Sequence, residues 1–353
     1  MKHTIFGESH GPAIGVTLSG VPAGIELDME EIAFELARRA PGKSPLSTAR
    51  KEADVPEILS GMFEGQTTGT PLCAVIRNTD QRSKDYSKLR YLPRPGHADY
   101  TGFLRYDGCN DYRGGGHFSG RLTAPLVFAG AVAKQILAQE GIAIGAHIRS
   151  IADVEDLPLE NAGEPLRREL LRQVAEKPFP VLDDSRGEAM QQVILQARSE
   201  KDSVGGIIEC AVLGLPPGVG SPDYGENVEG IFAQHLFAVP AVKGVAFGAG
   251  FGMASMRGSE CNDPIRIARG NIYTLGNVNG GVNGGITNGM PVVFSVAIRP
   301  TPSIAQEQDT IDLEKMENAR LTIEGRHDPC ICHRAVPVIE AAAALATCEL
   351  LGI

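Results

Sequence analysis

Three histidines lie in loops rich in glycine or proline, where an imidazole is well placed for chemistry. His10 lies in FGESHGP, His97 in PRPGHAD and His117 in RGGGHFSGR. Histidine exchanges a proton near neutral pH, so each is a candidate acid or base. A loop histidine is more often a surface or structural residue, so these positions identify candidates without yet assigning a reaction.

Two glycine-rich segments could bring backbone close to a ligand. Residues 114–116 are consecutive glycines before a predicted helix, where free backbone N–H groups attract phosphate. Ser119 and Arg121 would add a hydroxyl and a guanidinium, although the spacing matches neither a P-loop nor a dinucleotide-binding fingerprint. Residues 276–289 form a longer glycine-rich region that could wrap a cofactor. A purely structural turn and a surface loop remain the alternatives for the two segments.

Arginines flank these loops in unusual number. Guanidinium groups match the oxygen geometry of phosphate and carboxylate, so their grouping favours a pocket for a small molecule with several negative charges. The arginines are Arg38, Arg39, Arg50, Arg94, Arg121, Arg326 and Arg334.

The segment RHDPCICHR, residues 326–334, invites a metal interpretation because His, Asp and Cys are all ligand types. Its C-x-C-H spacing, without a second distant pair, matches structural zinc sites poorly. The alternative is that Cys330 and Cys332 pack as small apolar groups beside a helix that begins near Ala335.

Composition restricts the class of protein. The 353 residues are 42% hydrophobic and 22% charged, which is typical of a globular protein, and no apolar run reaches membrane-spanning length. The formal net charge of −10 and the absence of tryptophan argue against a nucleic-acid binder. Seven scattered cysteines and a start without an apolar leader segment predict reduced thiols in a cytoplasmic protein without membrane attachment.

The chain contains three pairs of similar segments, which occur in the same order in both halves. Each half has a strand ending in a G-x-P-x-G turn, a Gly-Pro turn leading into an apolar strand, and a late apolar helix. The paired segments are 14–24 with 208–218, 68–71 with 288–291, and 122–139 with 335–350. These three pairs of segments favour one domain, 1–353, built of two related halves of about 1–150 and 200–353.

Two further segments stand out around this frame. Asp28 and Glu31 form a capping-box pattern at the start of a helix that ends before Pro41. Residues 151–186 are polar and are predicted to form a peripheral insertion.

Four motifs resemble those of the chorismate synthase family. GESHG at 7–11 opens its N-terminal signature, RPGHADY at 94–100 matches an internal block, and GRHDPCICHRAVPVIE at 325–340 resembles its C-terminal signature. NTDQRSKDY at 78–86 also matches a family segment, so the resemblance runs nearly end to end.

This resemblance implies an α+β fold, a β-α-β sandwich with internal duplication, usually assembled as a homotetramer. It implies a lyase that eliminates phosphate and a ring hydrogen from 5-enolpyruvylshikimate 3-phosphate in an anti-1,4 sense, giving chorismate for aromatic amino acid biosynthesis. Reduced FMN is required without net redox change, and a chain of this length is expected to be monofunctional. An external flavin reductase or other reductant would then supply the reduced flavin, with NADP as the associated nicotinamide cofactor.

The resemblance also implies roles for residues. His10 matches the proton donor to the leaving phosphate, His97 a histidine beside the flavin, and Asp328 an aspartate that helps to remove the ring proton. Substrate-binding positions are Ser9, Arg39, Arg50, Arg94, Ser119, Arg121 and Arg326. Cofactor-binding positions are Ser119, Gly120, Arg121, Asn279, Gly284, Gly285, Asn288, Arg299, Ser303 and Arg326, and no metal site is expected.

The chain departs from the family pattern in three places. His117, Phe118 and Leu122 stand where arginine, serine and glutamate are usual, Arg299 replaces a usual lysine, and few residues precede GESHG. Two other classes therefore stay open: a metal-dependent hydrolase or lyase using residues 327–333, and a non-catalytic flavin-binding protein.

Overall fold

The computed structural model describes residues 1–42, 46–47, 52, 54–79, 90–159, 168–323 and 327–353. The strands are β1 Lys2–Gly7, β2 Ala13–Ser19, β3 Pro56–Ser60, β4 Met62–Phe63, β5 Gln66–Thr67, β6 Leu72–Arg77, β7 Ala143–Ile151, β8 Val154–Glu155, β9 Gly206–Leu213, β10 Val242–Phe247, β11 Ile265–Ala268, β12 Asn271–Thr274, β13 Val282–Asn283, β14 Ile286–Thr287, β15 Val292–Ile298, β16 Glu307–Asp312 and β17 Glu317–Thr322. The α-helices are α1 Met29–Arg39, α2 Asp99–Arg105, α3 Thr123–Gln139, α4 Arg168–Glu176, α5 Asp184–Ser199, α6 Val228–Phe237, α7 Gly258–Cys261 and α8 Cys332–Leu350.

Two antiparallel sheets enclose a layer of helices. The first sheet has the order β1-β2-β6-β3 and the second has the order β10-β15-β9-β7-β8. Helices α3 and α8 pack on each other between them, with α3 against β2 and β6 and α8 against β7 and β9. The predicted α+β fold, a β-α-β sandwich, is confirmed.

The middle layer forms because α3 and α8 are apolar on nearly every face, and such helices become stable only when fully enclosed. Residues 335–348 of α8 are buried almost without interruption. Gly130 of α3 lies so close to α8 that a Cβ there would meet the Ala341 Cβ at 2.2 Å. The small residues at this crossing let the two backbones approach closely.

The two sheets repeat the same pairing. β1 pairs with β2, β2 with β6 and β6 with β3, and in the same way β7 pairs with β9, β9 with β15 and β15 with β10. Helices α1 and α6 follow the equivalent strands β2 and β9. Because all these pairings are antiparallel in both sheets, the duplication extends from strand order to strand direction.

Two threonines at equivalent positions of the two halves make the same side-chain hydrogen bond. The Thr67 hydroxyl donates to the carbonyl of Pro22 at 2.6 Å, and the Thr287 hydroxyl donates to the carbonyl of Pro216 at 2.7 Å. Each threonine ends a two-stranded hairpin, β4–β5 or β13–β14, and each proline belongs to a G-x-P-x-G turn. The same side-chain bond therefore joins turn to hairpin in both halves.

The predicted boundaries between the halves, about 150 and 200, stay a prediction. Strand β7 lies within the first 151 residues but pairs with β9 in the second sheet. Within 151–186, residues 160–167 lie outside the described chain, and Leu159 and Leu171 are buried against Ala211 and Val293. Since Ala211 alternates along β9 with residues that face the helices, this segment covers the opposite face of the second sheet.

Among the described residues, one helical segment, Gly120–Gln139, is long and apolar enough to span a membrane. Most of it is buried within the fold, as is typical of a core helix.

A buried ion network ties the helical layer to the second sheet. Glu340 of α8 accepts two bonds from Arg38, at 2.6 and 2.7 Å, and one from Lys134. It also accepts the backbone N–H of Ala146 in β7 at 3.0 Å, and Glu35 shares both cations. Burial alone would raise the pKa of Glu340, but Arg38 and Lys134 outweigh it and lower the pKa to about 2.

We expect Glu340→Gln to destabilise the protein by about 3–5 kcal/mol at neutral pH, because it leaves two buried cations with incomplete compensation. Since the folded pKa is depressed, the Glu340 contribution is present above the ordinary value of 4.5 and is lost as the pH falls towards 2. Denaturant unfolding across pH measures both effects. Glu31→Gln, which breaks an exposed pair with Arg172, is the matched control and should change stability by less than about 1 kcal/mol. Equal effects of the two substitutions would contradict this account.

Candidate active site

A turn of three glycines lies against two of the candidate histidines. Gly114, Gly115 and Gly116 have φ values of +60°, +88° and +53°, a region that side chains disfavour. A Cβ on Gly114 would lie 2.1 Å from Cε1 of His10, and one on Gly115 would lie 3.0 Å from Cε1 of His97. The turn therefore brings together two histidines that are far apart in sequence, and their rings pack directly on its backbone.

His10 is buried, and Ser9 orients its ring. The Ser9 hydroxyl lies 3.1 Å from Nδ1 of His10 and 3.2 Å from the carbonyl oxygen of Arg113. Since the carbonyl can only accept, the arrangement that satisfies both bonds has Nδ1–H donating to Ser9. The Ser9 N–H donates to the Gly116 carbonyl at 3.2 Å, so the serine also fastens this loop to the glycine turn.

His117, the third loop histidine, lies on the outer side of the turn. Its side chain is exposed, and its Nδ1 lies 3.0 Å from the carbonyl oxygen of Gly7 at the end of β1. It therefore links the turn to the first strand, and Glu8 beside it has its pKa raised by burial.

Two buried arginines share one carboxylate next to these loops. Arg39, the last residue of α1, donates to Asp54 at 2.6 Å, and Arg121 contacts the other oxygen of Asp54. Burial alone would raise the pKa of Asp54, but Arg39 and Arg121 outweigh it and lower the pKa. Burial also lowers the pKa of Arg39 to about 10, which leaves it charged at neutral pH. Glu52 provides a second buried carboxylate for Arg121.

Helix α1 places Arg39 there for local reasons. The Asp28 carboxylate accepts the N–H groups of Glu30 and Glu31, so the Asp28 cap is confirmed. The reciprocal bond of the predicted capping box is not formed, because the Asp28 N–H donates to Gln135 and the Glu31 carboxylate pairs with Arg172. The helix ends at Arg39 before Pro41, as the sequence predicts.

Asn78 connects the arginine pair to the loop that carries His10. Its side-chain amide donates to the carbonyls of Glu8 and Gly11 at 3.0 and 2.9 Å, and its oxygen accepts from Nε of Arg121 at 3.1 Å. Asn78 appeared in the sequence only as part of a longer family segment, with no role assigned.

The C-terminal motif reaches the same cluster through Arg334. Arg334 donates to Asp328 at 2.7 Å and to the backbone carbonyl of Arg39 at 3.0 Å. Arg334 thus links Asp328 to the backbone of the substrate-binding candidate Arg39.

The loop that carries His97 packs against the glycine turn at Gly115. Asp99 accepts from Arg94 and His97, and Arg94 donates to Ser303 at 3.1 Å. Arg299 donates to the Gly96 carbonyl, so residues that follow β15 in the second half hold this first-half loop.

Ser119 and Gly120 lie between the turn and α3. Ser119 Oγ accepts the N–H of Arg121 at 3.3 Å, and the Gly120 carbonyl accepts from Arg39 at 3.2 Å. The candidates Arg50 and Arg326 lie outside the described residues.

The remaining cofactor candidates lie in the second-half hairpin. Gly284 and Gly285 form the β13–β14 turn with φ of +61° and +81°, the counterpart of the β4–β5 turn. Asn279 bonds to Asp263, and Asn288 bonds to Asn283. These contacts belong to the second half, so the structure gives the glycines a turn role, and their cofactor role stays a prediction.

The candidate arginines have more carboxylate partners within the protein than the sequence suggested. Among the described residues, Arg39, Arg94, Arg121 and Arg334 each contact a carboxylate within the protein. Nη2 of Arg121 is the exception within its side chain, because it is buried and has no hydrogen-bond partner in the described part of the chain. An anion with acceptor oxygens would satisfy this nitrogen.

The segment 327–333 has the surroundings of packed side chains. Cys330 and Cys332 are buried, and hydrogen bonding to Cys330 together with burial raises the pKa of the Cys332 thiol. Burial lowers the pKa of His333 to about 4. Over the part of the chain that is described, no group of three or more His, Cys, Asp or Glu side chains could hold a metal ion.

The comparisons with known proteins agree along the whole chain. The family model described as chorismate synthase matches residues 1–351. Chorismate synthases of Pyrococcus abyssi and Thermococcus kodakarensis are 48% and 46% identical to it, each over 99% of this chain and 96% of the relative. A crystal structure of chorismate synthase superposes with a TM-score of 0.78 at 30% identity, covering 99% of this chain and 91% of that one. The chain belongs to the chorismate synthase family.

Proposed function

We propose that this lyase converts 5-enolpyruvylshikimate 3-phosphate to chorismate by anti-1,4-elimination of phosphate, with reduced FMN bound beside the substrate. The observation that carries the proposal is the glycine turn, which lies against both His10 and His97. The Arg39–Asp54–Arg121 cluster adjoins it through Asn78. Family membership supplies the reaction class, and this geometry supports the substrate and the cofactor.

The described residues fit an anionic planar cofactor. The turn offers backbone without side chains, and Ser119 offers a hydroxyl. Nη2 of Arg121 is a buried donor without a hydrogen-bond partner among the described residues. The groups that would hold FMN are the cofactor candidates named from the sequence, with Arg299 and Ser303 already beside the His97 loop. When bound, reduced FMN would supply electron density transiently to the substrate, without net oxidation.

His10 would act at the leaving phosphate. The carbon–oxygen bond to phosphate breaks, and a proton donated by His10 to the departing oxygen stabilises the charge that develops there. Ser9 fixes the ring through Nδ1, which directs Nε2 away from the serine. In this role the burial of His10 restricts competing water.

Asp328 would assist at the other end of the elimination. The ring carbon–hydrogen bond breaks, its electron pair enters the new double bond, and the proton passes to a base. Arg334 holds the Asp328 carboxylate at 2.7 Å and, through the Arg39 carbonyl, fixes it relative to the arginine pair. This connection supports Asp328 as part of the proton-removal machinery.

The substrate carries one phosphate and two carboxylates, which suits a site rich in guanidinium groups. Because Asp54, Glu52 and Asp99 already balance much of this charge, the substrate would bind through the donors that remain. The internal carboxylates would thus hold the arginines in place without a ligand and limit the gain from any single contact.

We also propose a cytoplasmic homotetramer that receives reduced flavin from a separate NADPH-dependent reductase. The β11–β12 hairpin supports self-association, because Ile265, Ile267 and Ile272 share one face of it and are each about two-thirds or more exposed. We assign this face to a second copy of the chain. Multi-angle light scattering on the purified protein measures the assembly.

The function is tested by anaerobic chorismate formation from 5-enolpyruvylshikimate 3-phosphate with chemically reduced FMN and EDTA. We expect product with reduced FMN and none with oxidised FMN, since the elimination needs electron density from the reduced ring. If EDTA abolishes product formation, the metal-dependent alternative would be favoured. Flavin binding without product under any of these conditions would favour the non-catalytic flavin-binding protein.

Gly115→Ala should lower turnover at least tenfold, because the new Cβ would crowd His97 at 3.0 Å. The matched control is Gly65→Ala, whose φ of +83° is similar but whose surroundings are open within 4 Å. Backbone strain of about 1 kcal/mol should then be common to both variants, and thermal unfolding checks this. Equal turnover of the two variants would contradict the placement of the turn in the site.

A further inference from the structure

We propose that Asp99 is a positioning residue that fixes which nitrogen of His97 faces the glycine turn. Asp99 Oδ1 lies 2.7 Å from Nδ1 of His97. The opposite edge of the ring faces the turn, since a Cβ on Gly115 would lie 3.0 Å from Cε1 and 3.2 Å from Nε2. The inference deepens the proposed function, on which it rests for the chemical use of His97.

Asp99 remains an acceptor throughout the working range of the protein. Oδ2 accepts from Nε of Arg94 at 2.7 Å and from its backbone N–H at 3.0 Å, while Oδ1 accepts from Nη2 at 2.8 Å. Burial alone would raise the pKa of Asp99, but the bonds from Arg94 and His97 outweigh it and lower the pKa well below its ordinary value. An ionised carboxylate cannot donate, so Nδ1 of His97 must carry the proton.

The Arg94 guanidinium is close to His97 in a different way. Its Nη2 lies 3.1 Å from Nδ1 and 3.3 Å from Nε2 of the same ring. Two nearly equal distances to nitrogens on either side of Cε1 describe a contact over the ring. Because Nδ1 already donates to Asp99, this contact is a packing interaction, and it restricts rotation of the imidazole.

Two residues of the second half of the chain also contact this loop. Ser303 accepts from Nη1 of Arg94, and Arg299 donates to the Gly96 carbonyl. The His97 N–H closes the loop by donating to the Arg94 carbonyl at 3.1 Å. The ring is therefore held at Nδ1, over one face and through its backbone, which leaves Nε2 as the nitrogen presented to the turn.

The consequence is that the neutral ring presents a lone pair to the turn and the protonated ring presents an N–H. The charged groups around it are Asp99 and Arg94 in its own loop and Arg299 from the second half. Removal of the Asp99 carboxylate would leave Arg94 without its charge partner beside His97 and would take away the acceptor that holds Nδ1.

The test compares Asp99→Asn with Asp99→Glu and with the control Glu57→Gln, which removes a carboxylate from an exposed pair with Arg77. Diethyl pyrocarbonate modifies unprotonated imidazole, so its rate of reaction at His97, followed by mass spectrometry across pH, reports the ring without turnover. In Asp99→Asn we expect the rate of modification at His97 to rise by about threefold or more, because the ring loses the carboxylate that holds Nδ1. We expect Glu57→Gln to match the wild type and Asp99→Glu to restore the wild-type rate at least in part.

Turnover gives the second readout. We expect Asp99→Asn to lower kcat at least tenfold, with FMN binding largely retained. An Asp99→Asn variant with wild-type profiles in both measurements would overturn the proposal. If that variant does not fold, Asp99→Ser, which also removes the carboxylate, carries the test, and wild-type kcat in it would equally overturn the positioning role. A wild-type protein that makes no chorismate but shows the predicted modification profiles would leave this inference intact while removing the proposed function.

Discussion

The site depends on one constraint: two buried guanidinium groups must lie side by side. Arg39 and Arg121 repel each other, and Asp54 holds them by offering one carboxylate oxygen to each. Asp54 adopts a φ of +50°, which is unfavourable for a residue with a side chain, so the surrounding contacts must maintain it. Two further parts of the site are fixed to this pair. Asn78 bonds Arg121 to the His10 loop, and Arg334 bonds the Arg39 backbone to Asp328.

The duplicated fold supports a site that is not itself duplicated. Both halves retain the strand pairing and the threonine-to-turn bond, yet the two candidate histidines that face the glycine turn both belong to the first half. The second half contributes the segment that follows β15, which holds the His97 loop, and the start of α8, which supplies Arg334. The helical layer makes this possible, because α8 passes between the sheets with its N-terminus at the site and its Glu340 joined to α1 and α3.

Much of the fold followed from local signals in the sequence. The order of strands, turns and late apolar helices in each half predicted the duplication, and the Asp28 cap and Pro41 set the bounds of α1. The strand β7 shows the limit of such reasoning. Its residues precede the predicted boundary, and only tertiary pairing places them in the second sheet.

The site was predictable in its residue types and less so in its contacts. The loops of His10 and His97 stood out in sequence, but nothing local indicated that one glycine turn would touch both. Asp54, Asn78 and Asp99 act through buried bonds to residues distant in sequence or in a tight loop, and burial cannot be read from their spacing. The sequence predicted that the arginines bind an anionic ligand. In the structure, carboxylates of the protein itself contact most of the described arginines. Such balance follows from the high free energy of burying an unpaired charge.

The most direct test of the central claim is a crystal structure with 5-enolpyruvylshikimate 3-phosphate and oxidised FMN bound together. The account predicts both ligands at the glycine turn of residues 114–116, with the substrate phosphate in hydrogen-bond contact with His10. It also predicts a ligand oxygen on Nη2 of Arg121, with Asp54 still bridging Arg39 and Arg121. Ligands bound away from the turn, or a substrate that displaces Asp54 from both arginines, would contradict it.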